Sequence, residues 1–110
     1  MRNPFLAVAL AVPLIIGGLA LGVLPAEAAG HTVTIQGHKF KPAKLTVAAG
    51  DTITFINQDS APHTATANDG AFDTGRLSTG ARATVTVSAA GAHAYICKIH
   101  PSMKGTVTVH

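Results

Sequence analysis

The 110-residue chain has no Trp, one Tyr, one Cys and only 12% charged residues. Each shortage removes a class of structure or activity. A single thiol cannot form an internal disulfide, so Cys97 must be free, bound to a metal or shared with another chain. There is no run of like charge and no interleaving of Lys or Arg with aromatics, which argues against nucleic-acid binding. Six His with no H-x-H pair cannot supply the cluster of a multicopper oxidase, and one Cys cannot build a binuclear electron-transfer copper site. The length leaves room for one small domain.

What is plentiful is apolar, and it is unevenly placed. Nineteen of the first 28 residues are apolar, against 33 of the remaining 82. Arg2 precedes an uncharged run from Phe5 to Leu24, and Ala26-Glu27-Ala28 fits a small-x-small cleavage pattern. Residues 1–28 are therefore expected to be a secretory signal peptide cleaved after Ala28. The rival is an uncleaved membrane anchor, because twenty uncharged residues can just span a bilayer. Either way residues 29–110 are expected to work outside the cytoplasm, in a periplasm or its equivalent. In that part seven Lys and Arg exceed four Asp by three, a mild excess that suits an acidic protein partner.

From residue 29 onward the apolar positions alternate: Val33/Ile35, Leu45/Val47, Ile53/Phe55, Ala65/Ala67, Val85/Val87, Tyr95/Cys97 and Val107/Val109. A period of two marks half-buried strands. Turn residues separate them at Gly37, Ala49-Gly50-Asp51, Asn57-Gln58-Asp59-Ser60, Gly91 and Pro101-Ser102. The pattern predicts an all-β domain, a small antiparallel Greek-key β-sandwich of about seven strands. Residues 68–80 read as a long surface loop, and Phe40, Phe55, Phe72 and Tyr95 as core.

The chemistry concentrates in Tyr95-Ile96-Cys97-Lys98-Ile99-His100-Pro101-Ser102-Met103. A thiol, an imidazole and a thioether recur every third residue, between two strands, where a tight loop can turn all three inward. Thiolate and thioether are soft donors and imidazole suits copper, so the set favours copper over zinc. A fourth donor must come from elsewhere. His63 is the candidate, since it follows Ala61-Pro62 at the start of a strand. Taken singly, a strand-end Cys and a lone Met are more often packing residues; the joint pattern carries the metal reading.

These residues, with Phe40-Lys41-Pro42, Gly50 to Asn57, Pro62-His63-Thr64 and Phe72-Asp73-Thr74-Gly75, resemble the cupredoxin family of small type 1 copper proteins. The C-x-x-H-x-x-M spacing, with Pro101 after the His, is most similar to the amicyanin branch. The resemblance implies one Cu(I)/Cu(II) site held by His63, Cys97, His100 and Met103, supported by Asn57, Pro62, Thr64 and Pro101. Three departures stand out. Lys98-Ile99 replaces Thr-Pro before the second His, Thr64 replaces an Asn, and His93 replaces an aromatic in Gly91-Ala92-His93-Ala94-Tyr95. His38 and His93 read as partly exposed strand residues rather than ligands.

The function implied is that of a monomeric one-electron carrier, not an enzyme. Its partners would be redox proteins such as a c-type cytochrome and a dehydrogenase or oxidase. Electrons would leave at His100 through an apolar rim that includes Ile99, with Lys98 and Lys104 steering an acidic partner, and with no nucleic-acid role. The alternative is an extracytoplasmic copper protein for storage, delivery or tolerance; the lack of a Met-rich tract speaks against it. A hydrolase built on Cys97 and a His lacks an orienting third residue. Cleavage after Ala28 would also expose Ala29-Gly30-His31, whose amine, amides and imidazole can wrap a second Cu(II).

Overall fold

In the computed structural model the described residues are 28–110, so the expected export segment lies outside them but for Ala28. Eight strands form two four-stranded sheets: β1 (Gly30–Ile35), β2 (Phe40–Lys41), β3 (Lys44–Val47), β4 (Thr52–Asn57), β5 (Thr66–Ala67), β6 (Arg82–Thr86), β7 (Gly91–Ile96) and β8 (Lys104–Val109). One sheet runs β2-β1-β4-β6 and the other β3-β8-β7-β5. The expected all-β sandwich is therefore what forms, with one strand more than the apolar pattern marks. The additional strand is the two-residue β2, too short to show alternation. Among the described residues there is no helix.

Two of the pairings run parallel, β1 with β4 and β3 with β8, where the hairpin-like turns suggested antiparallel neighbours throughout. The apolar period sets which face is buried but is blind to direction, because a strand alternates identically in either sense. Parallel pairing matters for the site: β1 and β4 run together from Gly30↔Thr52 to Ile35↔Asn57. The turns after both strands, near His38 and near His63, therefore emerge at the same end.

Val33 and Ile35 of β1, Ile53 and Phe55 of β4, and Val107 and Val109 of β8 all face inward and are buried. The four expected core aromatics meet there. Tyr95 packs on Phe40, Phe72 and Phe55 at centroid distances of 4.6, 5.5 and 5.6 Å. The Tyr95 hydroxyl is buried with no hydrogen-bond partner, and burial pushes its ionisation upward. Removing an unpartnered buried polar atom relieves its desolvation cost. Tyr95→Phe is expected to raise the stability of the domain by about 1 kcal/mol, read as a higher denaturation midpoint in urea; a loss of stability would mean that the hydroxyl finds a partner in solution. Residues 68–80 form the expected long connection, yet its Phe72 and Leu77 are buried, so it is a packed loop that closes one side of the core.

The start of β1 is pinned by Asp51. Its Oδ1 accepts the Ala29 N–H at 2.9 Å, and its Oδ2 accepts the Ala48 N–H at 2.9 Å and lies 2.9 Å from His31 Nε2. Led by the Ala29 amide, then His31 and Ala48, these donors hold the carboxyl at about 2, below its ordinary 3.8. A depressed carboxylate stabilises the fold above its unfolded value and loses that contribution as pH falls through the folded one. Thermal melts of the native domain should therefore fall between pH 3.8 and about 2. Asp51→Asn should melt lower at pH 7 and show a flatter acid limb; an unchanged limb would show that other carboxylates control it.

Candidate metal centre

His63 follows the turn at the end of β4 and is held by a reciprocal backbone pair with Leu77, N–H to O at 3.0 Å and the reverse at 2.7 Å. Buried Asn57 braces the turn, donating from Nδ2 to Ala61 O and Leu77 O at 2.9 Å each and accepting the Asp59 N–H at Oδ1. Residues 97–103 link β7 to β8. The Cys97 N–H donates to Met103 O at 3.1 Å and the Met103 N–H to His100 O at 2.9 Å, which closes the loop and leaves the Met103 side chain buried. Pro101 lies in the exposed turn between them.

These elements bring three of the four expected ligand atoms together. Cys97 Sγ lies 3.7 Å from His63 Nδ1 and 4.0 Å from His100 Nδ1, and the two nitrogens are 3.2 Å apart. A metal bound at about 2.0–2.1 Å to nitrogen and about 2.3 Å to sulfur, with angles of about 100–130°, separates nitrogens by about 3.1–3.7 Å and nitrogen from sulfur by about 3.3–3.9 Å. Two sides of the donor triangle lie within these ranges and the third, Cys97 to His100 at 4.0 Å, is just beyond its upper end, so a small turn of the partly exposed His100 ring lets the triangle hold a single ion. Cys97 and His63 are fully buried, whereas His100 is partly exposed. Burial, with the neighbouring His38 and His63 rings, keeps His100 below the ordinary imidazole value, which favours the neutral form that binds metal.

The surroundings suit a thiolate. Cys97 Sγ accepts the Thr64 N–H at 3.3 Å and the His100 N–H at 3.4 Å. Thr64 also ties the two ligand segments together, because its Oγ1 accepts the Lys98 N–H at 2.9 Å. Asp59 was visible in the sequence only as a turn residue. Its Oδ2 lies 2.8 Å from His63 Nε2, which fixes the ring so that Nδ1 faces the sulfur, the carboxylate–histidine arrangement common around bound metals. The available signal was an acid four residues before the candidate His.

His38 corrects a second reading. It sits in a turn rather than a strand, with φ 56°, and its ring packs edge-on against His63 and His100 at 5.0 and 4.9 Å. His38, His63 and His100 present nitrogens all within 4.8 Å of one another. His93, in contrast, is buried, and its ring nitrogens meet Asp69 at 2.6 Å and Ala89 O at 2.7 Å. The Ala89 carbonyl and Asp69 raise its proton affinity, so it is a buried structural residue, not the partly exposed one expected. His31 lies at the opposite end of β1, and the amides that a metal wrap would use belong to the strand paired with Thr52 and Ile53. Such a wrap competes with that pairing.

Pro62 is half-buried beside His63. Lys98 and Lys104 are exposed, and Ile99, at 37%, is the exposed large hydrophobic side chain among the described residues.

Comparison with known proteins gives the family. Residues 6–109 match the cupredoxin-like domain family. The chain is 35% identical to amicyanin-alpha of Methylorubrum extorquens over 118 aligned positions, covering 99% of both proteins. It superposes on an oxidised amicyanin variant with a TM-score of 0.68 at 29% identity, covering 74% of this chain and 82% of that one. A copper-containing nitrite reductase from Thermus scotoductus gives a TM-score of 0.69 at 31% identity over 89% of this chain, which spans only a quarter of that enzyme (25%). The chain belongs to the cupredoxin-like family, proteins whose cofactor is a single type 1 copper, and within it resembles the amicyanins.

Proposed function

We propose that this protein is an exported one-electron carrier, with copper held by His63, Cys97, His100 and Met103, and not an enzyme. The observation that carries the reading is the convergence of Cys97 Sγ, His63 Nδ1 and His100 Nδ1 on one point in a buried setting. Copper there would supply a one-electron Cu(I)/Cu(II) couple. The chain's own work is to keep the donors fixed so that little rearranges when the electron moves. Asp59 orients His63, the Thr64 and His100 amides hold Cys97 Sγ, and Thr64 Oγ1 locks Lys98.

The partly exposed His100 is the natural exit, with Ile99 beside it as an apolar contact for a redox protein such as a c-type cytochrome, dehydrogenase or oxidase. Lys98 and Lys104 would steer an acidic partner, an effect that salt weakens. Export rests on residues 1–28. Cleavage after Ala28 would place a new α-amino group on the Ala29 nitrogen, already 2.9 Å from Asp51 Oδ1, where a cation would be better matched than an amide.

Adding Cu(II) to the purified protein should produce an intense visible band that ascorbate removes and air or ferricyanide restores. A pale, ascorbate-insensitive product would overturn the reading. The thioether is tested by Met103→Leu, a volume-conserving change that should cost less than about 1.5 kcal/mol of stability. The variant should keep the band and show a higher midpoint potential by voltammetry, because fewer donors favour Cu(I). An unchanged potential would remove Met103 from the ligand set.

A further inference from the structure

One imidazole at this end of the sandwich has no part in the four-ligand scheme. His38 has a side chain 55% exposed, and its backbone is left-handed at φ 56°, a conformation uncommon outside Gly, though His is among the residues that enter it more often. One carboxylate holds the turn. Asp59 accepts the Gly37 N–H at 2.7 Å and the His38 N–H at 2.9 Å, and the same group contacts His63 Nε2 at 2.8 Å. The anion that orients the buried ligand thus also fixes where the exposed imidazole stands.

The result is three imidazoles with nitrogens within 4.8 Å of one another. A shared ion with bonds of about 2.0–2.1 Å needs nitrogens no more than about 4.1 Å apart, a swing of less than about 1 Å for an exposed ring. Cys97 is fully buried, and its sulfur already accepts two N–H groups. A hydrated ion arriving from solvent therefore meets His38 and His100 before it meets sulfur.

We propose that His38 is a capture ligand: with His100 and His63 it forms an all-nitrogen site at the mouth of the copper centre that takes Cu(II) first and yields it to Cys97. The proposal rests on the copper site described above. In the transfer the His38 nitrogen leaves the ion as Cys97 Sγ joins it, the thiol proton passes to solvent, and no electron moves. The chemistry recognised is that of a borderline divalent cation, for which imidazole is a good ligand, and the handover to thiolate makes the site selective for a metal that prefers sulfur.

The test compares the full protein with His38→Phe, which keeps a ring for packing but has no nitrogen donor, at one fixed pH. On rapid mixing of the metal-free protein with Cu(II), the unmodified chain should pass through a pale species before the intense band appears. His38→Phe should skip that species and load more slowly, on the order of tenfold, while reaching the same final spectrum. Equal rates and identical time courses would overturn the proposal and leave His38 as a packing residue.

Cys97→Ser isolates the capture site. Cu(II) titration should give one ion per chain with three nitrogens coupled in the electron paramagnetic resonance spectrum, falling to two when His38→Phe is added. A two-nitrogen spectrum in both would also overturn it. If Cys97→Ser does not fold, the mixing experiment decides alone. If the unmodified chain never develops its intense band, the electron-carrier reading fails, while the Cys97→Ser titration still tests His38.

Discussion

Cys97→Ser is expected to abolish the intense visible band and the reversible one-electron couple, while leaving a folded sandwich. The sulfur sits at one corner of a donor triangle whose other sides reach His63 and His100 at 3.7 and 4.0 Å. A Ser hydroxyl, smaller than the thiol, keeps the capacity to accept the Thr64 and His100 N–H groups. It loses the soft thiolate that suits Cu(I), and it does not deprotonate as a thiol does. The loss of Cu(I) affinity should therefore exceed the about 10–100-fold that removal of a merely supporting residue costs. Titration with a competing Cu(I) chelator measures it. Retention of the band in Cys97→Ser would show that the colour, and the metal, lie elsewhere.

Gly105→Ala is expected to destabilise the β3-β8-β7-β5 sheet severely. Gly105 is paired with Tyr95 across β7 and β8, both residues point into the core, and the Tyr95 ring lies directly over the Gly105 Cα. A Cβ at Gly105 would overlap the Cζ, hydroxyl and Cε1 atoms of that ring. The ring cannot retreat, because Phe40, Phe55 and Phe72 surround it. Overpacking of this kind costs about 3 kcal/mol at the upper end of its usual range, which for a domain of this size lowers the melting temperature by about 12–24 °C. Tyr95 leads into Cys97, so copper loading should weaken along with stability. The cause is checked by a second change: Tyr95→Leu is destabilising alone, but with Gly105→Ala the pair should lose less than the sum of the two. Strict additivity would mean that the clash is absorbed somewhere else.

Gly105 also illustrates what a linear reading can and cannot recover. The alternation of Val107 and Val109 reveals β8 and its buried face, yet the Gly in that register is silent about what fills its space. Only the cross-strand pairing identifies the occupant as Tyr95. His38 and Asp59 are similar cases. As sequence they are an exposed His and one acid in a polar turn; parallel pairing of β1 and β4 carries the turns that follow both strands to the same end, where Asp59 touches His38's amide and His63's ring. His93 misled in the opposite direction. A polar residue in an apolar lead-in suggested exposure, whereas Asp69 and Ala89 satisfy both its nitrogens and allow burial.

Strand content, the inward faces, the aromatic core and the soft donor set on a three-residue spacing are legible along the chain, because these depend on side-chain chemistry and local period. Tertiary structure decided strand direction, the meeting of His63 with a loop 34 residues away, the carboxylate behind that His and the third imidazole above it. Those features depend on which strands lie side by side. Hydrogen bonds between distant segments settle that, and alternation along one strand carries no record of its neighbour.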